Sequence, residues 1–174
     1  MKKKNVLFIG DPWETLDYPQ DSSIYLAKAA SRDFGARCYW ATLDQIYFDK
    51  KKLWVTPSGE IDSIKGWNAV TSKPLAFDEF HSVHWRVDPP LTLATYRAWS
   101  LFAATASNFK KTIWVNSPKA LLTWNEKFSP LKFMDWAIEP FIFGTLSDAI
   151  HEPLKIFFNQ SKKLIAKPSA NAAS

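Results

Sequence analysis

Hydrophobic positions along this chain alternate between short runs of strand character and longer stretches with helical spacing, which predicts an α/β fold. Asn5-Val6-Leu7-Phe8-Ile9-Gly10 reads as a buried strand. Asp21-Ser22-Ser23 then supplies capping oxygens ahead of Ile24, Ala27, Ala30 and Phe34, which recur at three- and four-residue spacing, and Gly35 is a natural stop. Cys38-Tyr39-Trp40-Ala41 reads as a second, parallel strand, completing a right-handed βαβ unit. Ile46-Tyr47-Phe48 and Leu53-Trp54-Val55 suit the arms of a hairpin around an Asp49–Lys52 turn, with Pro57-Ser58-Gly59 as a second turn.

Farther along, Ser82-Val83-His84-Trp85-Arg86-Val87 is a predicted strand ended by Asp88-Pro89-Pro90, since neither proline can donate to a ladder. Residues 92–107 form a predicted helix whose Leu93, Tyr96, Ala98, Trp99, Phe102 and Ala103 keep mostly to one face, and Thr112-Ile113-Trp114-Val115-Asn116 returns as a strand. Beyond Asn116-Ser117-Pro118 the pattern predicts helices over 126–137 and 153–159 and strands over 141–143 and 164–167. The expected organisation is an open, mainly parallel sheet flanked by helices over residues 1–118, followed by a second segment over 119–174.

Composition narrows the class. With 47% hydrophobic and 22% charged residues the chain has the makings of a globular core, which excludes disorder and collagen-like sequence. The single cysteine, Cys38, excludes an internal disulfide and suits a reducing compartment. Lys2-Lys3-Lys4 precedes an apolar run too short for a signal peptide or a membrane span, so the cytoplasm is the expected location and no membrane partner is expected. The net charge of +5 is spread over separate short lysine runs, which argues against a nucleic-acid partner and is compatible with an anionic small substrate.

Candidate chemistry is sparse. His81 and His84 are three apart on or beside a strand, where side chains diverge, so they make a poor metal pair. Five unclustered glycines leave no dinucleotide or P-loop fingerprint. What remains is polar residues at strand ends, where open α/β sheets bind ligands. These are Asp11-Pro12, the Asp21-Ser22-Ser23 helix start with its anion-favouring amides, Arg86 with Asp88, Asn125-Glu126-Lys127, and Lys167. Singly, each has an ordinary explanation: helix capping, a surface ion pair, a solvated lysine.

Taken together they resemble a known family. Asp11-Pro12, eight residues, then Asp21-Ser22-Ser23 is similar to the opening of the bacterial glutathione synthetases, and Arg86-Val87-Asp88-Pro89-Pro90 is similar to their Arg-Lys-Asp-Pro-Pro segment. Val115-Asn116-Ser117-Pro118, six residues, Asn125-Glu126-Lys127 resembles their Asn-Lys-Pro and Asn-Glu-Lys stretch, and Leu164-Ile165-Ala166-Lys167-Pro168 resembles their strand ending in Lys-Pro. The resemblance implies a Rossmann-like pre-ATP-grasp substrate domain followed by the start of an ATP-grasp subdomain. It implies a ligase that uses ATP and Mg2+ to activate a carboxylate as an acyl phosphate, which an amine then attacks. It further implies nucleotide phosphates at Lys127 and Lys167, and a small acidic peptide held by Asp21, Ser22, Ser23 and Arg86, with room for a homo-oligomer.

The departures are specific. The family's glycine-rich loop after Lys-Pro is here Ser169-Ala170-Asn171-Ala172-Ala173-Ser174, Ser117 replaces a lysine, and the family's magnesium ligands belong to a region downstream of this sequence. The resemblance therefore assigns no catalytic residue and no metal ligand to the chain. The expectation is the N-terminal part of a glutathione synthetase-like ligase, inactive as these 174 residues. The competing expectation is a non-catalytic ligand-binding or interaction domain that keeps the cleft without the ATP machinery.

Overall fold

Two elements adjoining a continuous apolar run explain most of the architecture. The run lies in β1 (Asn5–Gly10), which is buried and apolar from Val6 onward because it is covered on both faces. A helix, α1 (Ser22–Phe34), and a strand, β2 (Arg37–Ala41), follow it, and β2 pairs parallel to β1 with Val6 opposite Cys38. In this computed structural model the described residues are 3–123, apart from positions 19, 65, 71 and 72, and they fall in one compact unit, Met1–Thr123. The elements predicted over 126–137, 141–143, 153–159 and 164–167 lie outside the described residues, as do Lys127 and Lys167.

The predicted hairpin is present as β3 (Ile46–Asp49) and β4 (Lys52–Val55). Its two-residue turn holds Lys50 and Lys51 at φ +47° and +67°, the positive values that a type I′ hairpin turn demands. Next come β5 (Gly59–Asp62), β6 (Gly66–Ala69) and β7 (Leu75–Ala76), then β8 (Ser82–Arg86), α2 (Leu93–Thr105), β9 (Ile113–Val115) and α3 (Pro118–Thr123). The main sheet runs β6-β5-β2-β1-β8-β9, and β3-β4-β7 form a separate three-stranded sheet. Strands β2, β1, β8 and β9 are mutually parallel, whereas β5 and β6 are added antiparallel at one edge. The fold is thus a Rossmann-like, mainly parallel α/β sheet.

Strand alternation divides the core in two. On one face Leu7, Ile9, Tyr39, Ala41 and Val83 pack with Phe102 of α2 and with Leu53 and Val55 of β4. On the other, Val6, Phe8, Cys38, Trp40 and Ile61 pack with Ala27 of α1. Cys38 is enclosed there. Its thiol donates to the Ala27 carbonyl at 3.3 Å, and burial pushes its pKa up to about 12, so it is a packing residue without a reactive thiolate.

Several expectations need correction. Phe34 shares the periodicity of Ile24 and Ala27 but is 82% exposed, because it is the last residue of α1, directly before the left-handed Gly35 at φ +60°, and no layer covers it. On α2 the buried stripe is Thr95, Trp99, Phe102 and Thr105, while Leu93 and Tyr96 face outward. A hydropathy reading passes over threonines, yet the Thr105 hydroxyl donates 2.7 Å to its own helix at Leu101 O and so is buried without an unmet hydrogen bond. Gly59, read as the end of a Pro57-Ser58-Gly59 turn, begins β5 instead. Among the described residues no helix is long and apolar enough to cross a membrane.

Candidate functional site

Strands β1 and β8 end together, with Gly10 opposite Arg86, and α1 starts beside that edge. A parallel sheet opens its ligand crevice at such carboxyl ends. Asp21 is the N-cap of α1, its backbone extended and its Oδ1 accepting from Ser23 N at 2.7 Å and Ile24 N at 3.2 Å. The cap satisfies two amides that a helix start leaves without partners, so the two serines are not needed for that task.

The serine hydroxyls meet Arg86 instead. Arg86 Nε donates to Ser23 Oγ at 2.8 Å, and Nη2 donates to Ser22 Oγ at 2.6 Å. Ser23 is buried, whereas Ser22 and Arg86 are exposed. These two bonds use one edge of the guanidinium. Three of its five N–H donors are left over from these two bonds, and among the described residues Arg86 makes no ion pair. In particular Asp88 does not pair with it. The Asp88 N–H donates to Asp11 Oδ2 at 3.0 Å, which joins the loop after β8 to the loop after β1.

Asp11 is fixed from below as well, since its carbonyl accepts from Trp40 Nε1 at 3.0 Å. The Trp40 ring can lie that close only because residue 10 is glycine. A Cβ there would stand 2.2 Å from Trp40 Cζ2. An open cleft of about 360 Å³ lies beside this junction, lined by Asp11, Thr15, Leu16, Asp17, Gln20, Asp21 and Asp88. Sequence reasoning named Asp11, Asp21 and Asp88 but passed over Thr15, Asp17 and Gln20. The available signal was their place in the eight-residue link between Asp11-Pro12 and the cap.

His84 stands two residues before Arg86 on the same face of β8, with its ring stacked 4.9 Å from that of Phe8. Its Nε2 is 3.1 Å from Ser82 Oγ, and its buried Nδ1 has no partner. Burial first, and then the Arg86 charge, hold this half-buried imidazole below its ordinary pKa, so it is neutral at neutral pH. His81 precedes the strand and does not join it in a cluster. Among the described residues no three His, Cys, Asp or Glu side chains could hold a metal ion together.

The structure therefore brings together Asp21, Ser22, Ser23 and Arg86 of the predicted site residues, while Lys127 and Lys167 lie outside the described residues. The arrangement is a guanidinium pre-positioned by two hydroxyls at a capped helix start, beside an acidic, open cleft. It can accept a carboxylate on its unused edge.

Comparison with known proteins gives a consistent picture. A family profile described as "Prokaryotic glutathione synthetase, N-terminal domain" matches residues 5–121. The glutathione synthetase of Thermosynechococcus vestitus is 26% identical over 178 residues, covering 94% of this chain and 53% of that protein. The glutathione synthetase of Synechocystis sp. is 27% identical over 138 residues, covering 72% of this chain and 42% of its own length. The chain spans about half the length of the curated relatives it matches.

Proposed function

Because the chain belongs to the prokaryotic glutathione synthetase N-terminal domain family, we propose that residues 3–123 hold the acidic peptide substrate of an ATP-dependent carboxylate–amine ligase. The observation that carries this reading is the Arg86 guanidinium, oriented by Ser22 and Ser23 and unpaired with any described carboxylate. A guanidinium whose orientation is already set loses little freedom on binding and can take a carboxylate in two parallel hydrogen bonds. The ligand proposed is a γ-glutamyl dipeptide.

In such a ligase the nucleotide supplies the phosphoryl group that activates the carboxylate, and magnesium offsets its charge. The residues proposed for the nucleotide phosphates, Lys127 and Lys167, lie outside the described residues, and among the described residues there is no metal-ligand cluster. The role assigned to the unit is accordingly binding and orientation. Arg86 anchors one peptide carboxylate, and the α1 start fixes the anchor. We place the protein in the cytoplasm, in keeping with its one buried, free cysteine.

Isothermal titration of the 174-residue protein with γ-glutamylcysteine tests this. Loss of a charge-assisted hydrogen bond is worth roughly 1.5–3 kcal/mol, so Arg86→Ala should bind about tenfold or more weakly. Equal affinities for the two proteins would remove Arg86 from the site. Absence of binding to the parent protein would count against the reading as a whole.

A further inference from the structure

We propose that Asp11 is a positioning residue for Arg86, and that it acts through the Asp88 amide and not as a ligand of the peptide. The inference rests on the reading of Arg86 given above. The last paired residues of β1 and β8 are Gly10 and Arg86. Past that pair both strands leave the sheet, one into Asp11-Pro12 and the other into Val87-Asp88-Pro89-Pro90. Pro12, Pro89 and Pro90 have no N–H to contribute, so the junction is short of donors that could tie the two exits together. The 3.0 Å bond from Asp88 N to Asp11 Oδ2 supplies the tie, one residue beyond Gly10 and two beyond Arg86.

The backbone of Asp11 is held independently of its side chain. Its carbonyl takes the indole N–H of the fully buried Trp40. A change of side chain at this position therefore removes the tie and leaves that backbone anchor in place. Without the tie, the end of β8 is free to shift, and the Arg86 contacts with Ser22 and Ser23 on a different element lose their alignment. What the tie needs is an acceptor at the Oδ2 position. It does not need a negative charge, and asparagine presents an amide oxygen of the same reach.

Asparagine is thus the decisive variant. The Arg86 Nε–H resonance can be followed by NMR hydrogen exchange in the unliganded protein, with γ-glutamylcysteine affinity measured alongside. Asp11→Asn should keep both within about twofold of the parent, whereas Asp11→Ala should speed Arg86 Nε–H exchange and weaken the peptide by about tenfold. Should Asp11→Ala fail to fold, Asp11→Ser, too short to reach Asp88 N, takes its place. A loss in Asp11→Asn equal to that in Asp11→Ala would overturn the proposal by showing that the charge itself meets the ligand. Unchanged Arg86 exchange in Asp11→Ala would overturn it too. The exchange comparison needs no ligand, so it stands even if the parent protein binds no peptide, which would instead sink the functional reading.

Discussion

The Arg86 side chain crosses from the end of β8 to the head of α1 and donates to the buried Ser23 hydroxyl, Nε to Oγ 2.8 Å. One strand and one helix on the same face of the sheet are thereby joined by a charged hydrogen bond at the mouth of the crevice. Ser23→Ala removes the acceptor. Because the guanidinium is exposed and regains water, the loss should be about 1 kcal/mol, read as a lower urea midpoint at unchanged slope. Ser22→Ala, on the exposed partner, should move the midpoint by less. If Ser23→Ala left the urea midpoint unchanged, the bond would not contribute to holding α1.

Asp21 should act on stability through the helix it caps. Its carboxylate accepts from both Ser23 N and Ile24 N, and alanine would leave those amides to water, at about 1 kcal/mol. Asparagine, a cap of similar quality, should restore most of this. Peptide affinity should follow the same order, parent and Asp21→Asn together above Asp21→Ala. An Asp21→Asn variant that is stable but no longer binds would show that the carboxylate meets the ligand directly.

Gly10 and Trp40 should behave as a coupled pair. Gly10→Ala places a methyl 2.2 Å from a ring that is completely buried and cannot swing away. Overpacking of this kind destabilises by about 1–3 kcal/mol. Trp40→Phe removes the crowded part of the ring along with its N–H donor, so the double variant should lose less than the sum of the singles. Strict additivity in a denaturation cycle would contradict the close contact.

The pH dependence of stability should carry a His84 component. Its folded pKa is depressed, by burial first and then by the charge on Arg86, from the ordinary 6.5. The unfolded chain therefore takes up this proton at a higher pH than the folded one. The contribution is complete above about pH 6.5, declines as pH falls toward the folded value, and is flat below it. His84→Gln should lose less stability than the parent between pH 7.5 and pH 5.5. Parallel pH profiles for the two proteins would show that the ring is not held neutral.

Lys50 and Lys51 offer a gain. Both adopt positive φ in the hairpin turn, a conformation that side chains with a Cβ resist and that asparagine and glycine take readily. Lys50→Asn with Lys51→Gly should raise stability by about 1 kcal/mol, visible as a higher melting temperature. A fall would mean that the two ammonium groups make stabilising contacts.

The parallel core was legible in the sequence because each of its strands announces itself locally. β1 holds the apolar run Val6–Gly10, β8 is followed within a few residues by Pro89-Pro90, and α1 is bracketed by Asp21 and Gly35. The two antiparallel strands of the main sheet, β5 and β6, were not legible. Gly59-Glu60-Ile61-Asp62 and Gly66-Trp67-Asn68-Ala69 are short, with a glycine, polar side chains and few β-branched residues, and they are strands by virtue of pairing with β2 and with each other. The site divides similarly. Asp21, Ser22, Ser23 and Arg86 stood out as strand-end and helix-start residues, but that Ser22 and Ser23 serve Arg86 while Asp21 alone caps the helix depends on side chains 64 and 63 residues apart in the chain. Asp11 was visible as a strand-end residue. Its bond to Asp88, 77 residues away, was not.

Trp13, in the loop that also carries Thr15, Asp17 and Gln20, is stacked on Trp67 of β6 with ring centroids 4.2 Å apart and planes within 10°, and meets Trp40 edge-on at 5.7 Å. Indoles at such separations couple their electronic transitions, and the coupling changes steeply with distance and tilt. Filling the cleft cannot shift that loop without disturbing the stack. A ligand that moves this loop on entering the crevice would thus be readable by near-ultraviolet circular dichroism without any label.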